Sequence, residues 1–176
     1  PADSSVPSMQ RVCVEAVLSA QWGALRVLTT HLEYYSARQR RAQIEALRAL
    51  QAEAAAQAAA PAANKESNPS FATRPRPVSA VICGDFNCEP GSADHAAMLA
   101  PPAPGTPAWR DAWQVVAPGQ PHPPSVGLHG ADWPDRPYCC DFAFVTADLV
   151  PRVRRLEIVA DTAASDHQPL VLELDD

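Results

Sequence analysis

The feature of this 176-residue sequence that most constrains its fold is a set of apolar, β-branched runs that each begin or end on a polar side chain. GALRVLTTH at 23–31 closes on His31, and VSAVIC at 78–83 runs into Gly84-Asp85-Phe86-Asn87. YCCDFAFVT at 138–146 carries Asp141 near its start, and Asp166-His167 immediately precede QPLVLEL at 168–174. A polar group beside a buried strand costs on the order of 2–7 kcal/mol unless it is hydrogen-bonded, paired or used chemically. One arrangement accounts for all of them. If the first two runs point one way and the last two the other, these side chains meet at one edge of a sheet. Two histidines, three aspartates and one amide gathered there supply hard oxygen donors and no thiolate, which suits Mg2+ or Mn2+ better than Zn2+. They also contain a His–Asp couple, the usual means of orienting an imidazole as a base. Taken singly, each has a plainer alternative: Gly-Asp-Phe-Asn also reads as a turn, Asp141 as a partner for a buried Arg, and Ser165-Asp166 as an Asx-type loop.

The rest of the chain reads as α/β with strands dominant. Residues 11–20 and 23–31 are two β-rich runs joined by Gln21-Trp22-Gly23, a plausible hairpin. Ser36 with Gln39 three residues on forms a capping box, and Ile44, Leu47, Leu50 and Ala54 place an apolar stripe on the helix it opens. An Ala-rich tail carries that helix towards Pro61. A short helix follows at 92–99, and further strands fit 138–146, 151–159 and 168–174. The segments 61–77 and 117–137 have the Pro-, Ser- and Asn-rich composition of loops.

With 47% hydrophobic and 19% charged residues, the chain has the means to bury a core and is not of disordered composition. Its longest apolar stretches are Ala-rich or broken by charge, so the sequence predicts no membrane span. A net charge of −6 gives no blanket attraction for nucleic acid. The clusters Arg38/Arg40/Arg41 and Arg152/Arg154/Arg155 read as a solvated helix face and a solvated strand edge. Five cysteines without the spacing of a disulfide framework or a zinc site read as reduced thiols, mostly buried, which points to a cytoplasmic location.

In these elements the sequence resembles the endonuclease/exonuclease/phosphatase superfamily, the DNase I-like fold. The resemblance is carried by Thr30-His31-Leu32, by Gly84-Asp85-Phe86-Asn87 followed by Glu89-Pro90, by Cys140-Asp141-Phe142, and by Ser165-Asp166-His167-Gln168-Pro169-Leu170. It implies a four-layer α/β sandwich, in the family usually ~250 residues or more, of which this chain holds one sheet with its helices. Residues 1–176 are then expected to be an N-terminally truncated domain with 61–77 and 117–137 as insertions. The family's Asn-bearing first strand and its metal-holding Glu find no counterpart, because Glu15 lies on the strand just before the Thr-His-Leu element.

The implied function is a metal-dependent phosphoesterase working by in-line water attack. His167 acts on the water or the phosphoryl oxygen and Asp141 fixes its tautomer. Asp85 orients or deprotonates the water, Asn87 helps hold it, and His31 contacts the phosphate. Asp166, with Asp85 and Asn87, holds Mg2+ or Mn2+. The implied substrate is a phosphoester: nucleic acid, a phosphorylated small molecule or a lipid head group. The competing reading is a non-catalytic domain that keeps the fold and binds a partner; retention of all six polar positions speaks against it. Two points depart from the family or stay open. Cys139-Cys140 stand where the family often has Arg-Ile or Arg-Leu, which removes a cation near the site. Glu33, Tyr34 and Tyr35 read either as substrate contacts or as a helix lead-in.

Overall fold

A computed structural model describes residues 2–63, 67–72, 74, 76–130 and 134–176. Parts of both predicted loop segments, residues 64–66, 73 and 75 in the first and 131–133 in the second, lie outside the described residues. Strands β1 (Cys13–Ala20) and β2 (Gly23–His31) form the predicted hairpin, followed by helix α1 (Ala37–Ala59). Then come β3 (Ala80–Asp85), α2 (Ala93–Leu99), β4 (Trp109–Asp111), α3 (Ala112–Val116), β5 (Asp141–Thr146), β6 (Val153–Ile158) and β7 (Leu170–Leu174). Five strands make one mixed sheet in the order β1-β2-β3-β5-β4, with β2 and β3 parallel and β5 antiparallel to β3. The directions are those that bring the polar strand ends together.

Period-two alternation sends successive residues to opposite faces, and the register shows it directly. Leu28, Ile82 and Phe144 are paired across three strands and pack with Ile44 and Leu47 of α1 and Met98 of α2. Their neighbours Val27, Val81 and Val145 pair in the same way and face a second core with Leu149, Leu156, Leu170 and Leu172. That second core is closed by β6 and β7, which among the described residues pair with each other as a two-stranded sheet. The 138–146, 151–159 and 168–174 runs therefore do not extend one sheet: β5 joins the large sheet and β6–β7 lies against it. At the β1 end the same face stays open, with Val12, Val14 and Leu18 74%, 57% and 52% exposed.

Several local expectations shift for physical reasons. Residues 147–152 form a 3-10 turn containing Pro151, which delays β6 to Val153. Ser36 caps α1 as expected, its Oγ accepting the Gln39 N–H at 3.2 Å. Within α1, Gln51 takes the buried place of the predicted stripe and Leu50 is only partly buried. The cause lies on β2. Arg26 is fully buried beneath the helix and needs an acceptor, and its Nη2 donates to Gln51 Oε1. Arg40 is likewise not on a solvated face, since it pairs with Asp94 of α2 at 2.7 Å. Arg154 and Arg155, by contrast, lie at the predicted exposed strand edge.

Gly84 explains itself in this frame. Its φ is +142°, and a Cβ there would stand 1.9 Å from the carbonyl oxygen of Thr30 on the adjacent strand. Gly84→Ala is expected to destabilise the protein by roughly 3 kcal/mol or more, because it combines backbone strain with a clash that only strand separation relieves. Denaturant unfolding of the two proteins measures this, and a loss below about 1 kcal/mol would refute the close approach.

Candidate active site

The parallel pairing of β2 with β3 sets His31 opposite Asp85, and the antiparallel pairing of β3 with β5 sets Asp85 opposite Asp141. Paired residues point to the same face, so three of the predicted side chains form one row across the sheet. His31 Nε2 lies 3.3 Å from Asp85 Oδ2. His167 arrives from the segment leading into β7, held at the row by a bridge with Val126. Its Nδ1 is 2.8 Å from Asp141 Oδ2, and its Nε2 is 3.9 Å from Asp85 Oδ2. Asn87 closes the group in a left-handed conformation (φ 49°) that Asn tolerates. Its N–H donates to Asp85 Oδ1 at 2.7 Å and its Nδ2 to the Leu32 carbonyl at 2.8 Å. His31, Asp85, Asn87 and His167 line one open cleft of about 480 Å3. Asp141 sits behind His167. Asp166 is exposed, its Oδ1 accepting from Ser165 Oγ at 3.2 Å, and it is not among the cleft-lining residues.

The electrostatics follow from this packing. Burial, helped by the charge of Asp141, raises the Asp85 carboxyl above its ordinary range despite the Asn87 N–H. The hydrogen bond to Asp141 raises His167 against its partial burial. Cys140 has its Sγ 3.4 Å from Asp141 Oδ2 and 4.0 Å from His167 Nδ1. Burial and the two nearby carboxylates push its thiol far up, so it stands beside them as a neutral S–H.

Ser125, which no motif in the sequence singles out, organises the back of the site. It is fully buried, and its Oγ donates to Asp141 Oδ2 at 2.6 Å while accepting the N–H groups of Cys140 and Asp141, both at 3.1 Å. The Ser125 carbonyl also accepts the Gln168 N–H at 2.8 Å. One residue from a Pro-rich loop thus ties the Asp141 strand to the His167 segment. Only its position in space reveals it.

A second polar cluster lies nearby. His95 and His122 both place Nε2 on Asp111 Oδ2, at 2.8 and 2.7 Å. Burial alone would raise Asp111, but these two donors outweigh it and hold the carboxyl at about 2. Gly91 N–H donates to His95 Nδ1 at 3.3 Å, which puts the ring proton on Nε2 and leaves no lone pair there for a metal. The cluster is a hydrogen-bonded clamp that secures the 117–125 loop, and with it Ser125.

No protein-family model matches the chain, and no curated protein sequence does. Solved structures do. An endonuclease/exonuclease/phosphatase from Bacteroides vulgatus superposes with a TM-score of 0.65 at 20% identity, over 94% of this chain and 55% of that one. The mannosyl-6-phosphatase Bt3783 of Bacteroides thetaiotaomicron gives 0.59 at 14% identity, over 94% and 57%. The human Nocturnin catalytic domain gives 0.57 at 18%, over 94% and 53%. At these identities the likeness is one of fold: the chain has the DNase I-like α/β fold of endonuclease/exonuclease/phosphatase proteins. It spans little more than half the length of the structures it matches.

Two outcomes are expected from the geometry. Asp141→Asn removes the carboxylate that holds His167 above 6.5, so the imidazole pKa falls in an NMR titration. In the parent protein the folded value exceeds the unfolded one, so the pair stabilises below about pH 6.5 and this contribution is lost as pH rises through the folded value; the variant lacks that dependence. An unchanged His167 titration would contradict the pairing. Ser125→Ala strips the buried Cys140 N–H and the part-buried Asp141 N–H of their acceptor and is expected to cost about 1–3 kcal/mol in denaturant unfolding.

Proposed function

We propose that the protein is a phosphoesterase that hydrolyses a phosphodiester or phosphomonoester by water attack at the cleft above the His31–Asp85–Asp141 row. The row, with His167 held on Asp141, is the observation that carries this reading. Among the fold's solved members, Bt3783 is described as a mannosyl-6-phosphatase, which supports phosphate-ester chemistry for such a site.

The roles follow from the pairing. Asp141 accepts from Nδ1–H of His167 and so presents Nε2 on the Asp85 side. A raised His167 favours the imidazolium, a donor for the negative charge that builds on phosphoryl oxygen. Asp85, raised by burial, is a better base than an exposed carboxylate and takes a proton from the attacking water. The water oxygen bonds to phosphorus, the ester P–O bond breaks, and the leaving alkoxide takes up a proton from solvent water. His31, 53% exposed at the mouth, is placed to contact the phosphate. Asn87 has its amide nitrogen committed to Leu32, which leaves Oδ1 to accept from the water or face a cation.

The donor chemistry fits a hydrated Mg2+ or Mn2+. Such ions need only one or two carboxylates beside waters and substrate phosphate, and the row leaves Asp85 partly uncompensated in charge. Asp85 and Asn87 would hold the ion, with Asp166 reaching it through water from the exposed side. When bound, it supplies Lewis acidity and a lower pKa for water.

The test is hydrolysis of bis-p-nitrophenyl phosphate and p-nitrophenyl phosphate by the full-length natural protein with Mg2+ or Mn2+. His167→Ala and Asp85→Ala are each expected to lower the rate by roughly 100-fold or more, and chelation to abolish it. Equal rates in the parent and both variants would sink the mechanism.

A further inference from the structure

The far wall of the cleft is built from residues that the chemistry above does not use: Met9, Arg11, Tyr34 and Tyr35. Their placement is enforced. Glu33 is fully buried, and its carboxylate accepts the Met9 N–H at 3.2 Å and the Tyr35 N–H at 3.0 Å. Arg40 donates to the Glu33 and Tyr34 carbonyls, both at 2.9 Å, and Gln43 accepts the Glu33 N–H at 2.8 Å. The Tyr34-Tyr35 turn is therefore clamped from beneath, and it is more than a passive lead-in to α1.

What the clamp presents is a largely aromatic surface. The two rings meet edge to face, with centroids 4.9 Å apart, and Tyr34, Tyr35 and Met9 remain 40%, 58% and 59% exposed. Large apolar side chains left open beside a polar cleft mark a binding surface. Arg11 stands on the same wall. Its guanidinium makes no hydrogen bond or ion pair among the described residues, and its Nε is buried without a partner. At longer range its charge acts on buried Glu33. An uncommitted guanidinium beside a phosphoester site is suited to a phosphate oxygen. It offers the cation that Cys139-Cys140 do not.

We infer that this wall is a nucleotide subsite: Arg11 binds the phosphate and the Tyr34–Tyr35 platform stacks the base of a nucleotide substrate. The inference rests on the phosphoesterase reading of the cleft. A base needs a planar aromatic or thioether surface and little else, which this wall provides. A sugar bound by its hydroxyls needs side-chain carboxylates or amides along the wall. Glu33, the carboxylate placed there, is turned inward onto backbone N–H groups. The cleft volume of about 480 Å3 is in the range of small-molecule sites.

Calorimetric titration of the full-length protein, with divalent cations chelated so that nothing is turned over, tests this apart from catalysis. AMP is compared with ribose 5-phosphate, glucose 6-phosphate and phosphotyrosine. AMP is expected to bind about tenfold or more tighter than the two sugar phosphates. Tyr35→Ala should remove that preference while leaving ribose 5-phosphate unchanged, and Arg11→Gln should weaken all the phosphates alike. Circular dichroism of each variant establishes that it is folded. Equal binding of AMP and the sugar phosphates, no binding of AMP, or a preference that survives Tyr34→Ala/Tyr35→Ala would overturn the subsite. Phosphotyrosine binding more tightly than AMP would overturn it in favour of an aryl phosphate. Because binding is read without turnover, an inactive protein that still shows the AMP preference would count against the catalytic reading alone.

Discussion

The site hangs on the contact between Gly84 and the Thr30 carbonyl. Two parallel strands approach so closely there that no side chain fits on one of them, and the register of β2 against β3 is locked at that point. A slip of one residue would turn His31 and Asp85 to opposite faces of the sheet. From that register follows the row of His31, Asp85 and Asp141. The row in turn gives His167 a carboxylate to bind and a second one to face.

The site is backed by buried polar groups that are paired rather than exposed. Ser125 joins the Asp141 strand to the His167 segment, Asp111 gathers two histidines to hold the loop that carries Ser125, and Glu33 shapes the opposite wall through backbone N–H groups. Each of these would be costly if left unmatched, so each specifies one arrangement of loops that hydrophobic packing alone would leave loose. The division of labour is clear in the sheet. Alternating aliphatic and aromatic rows hold it to its helices, and the polar row at the strand ends is held in place by that packing.

Much of this was legible in the residue order. The hairpin around Gln21-Trp22-Gly23, the Ser36 cap, the apolar stripe through Ile44 and Leu47, and the polar ends of β2, β3 and β5 are all local patterns with a period or a turn chemistry behind them. Where the reading missed, the cause was a distant partner. Leu50 yielded its buried place to Gln51 because Arg26 lies beneath α1, and Arg40 left the solvated face because Asp94 arrives from α2.

By itself, then, the sequence determined most of the strands, which faces are apolar, and which side chains lie at strand ends, because those depend on periods of two and 3.6 residues within a short window; the three-residue β4 is too short to show such a period. Tertiary structure alone decided that β6–β7 forms a separate sheet, that Ser125 supports Asp141, and that Arg11 and the two tyrosines share a cleft with Asp85 and His167. These are meetings of residues far apart in the chain, brought about by strand register and loop anchoring, and no local pattern encodes them.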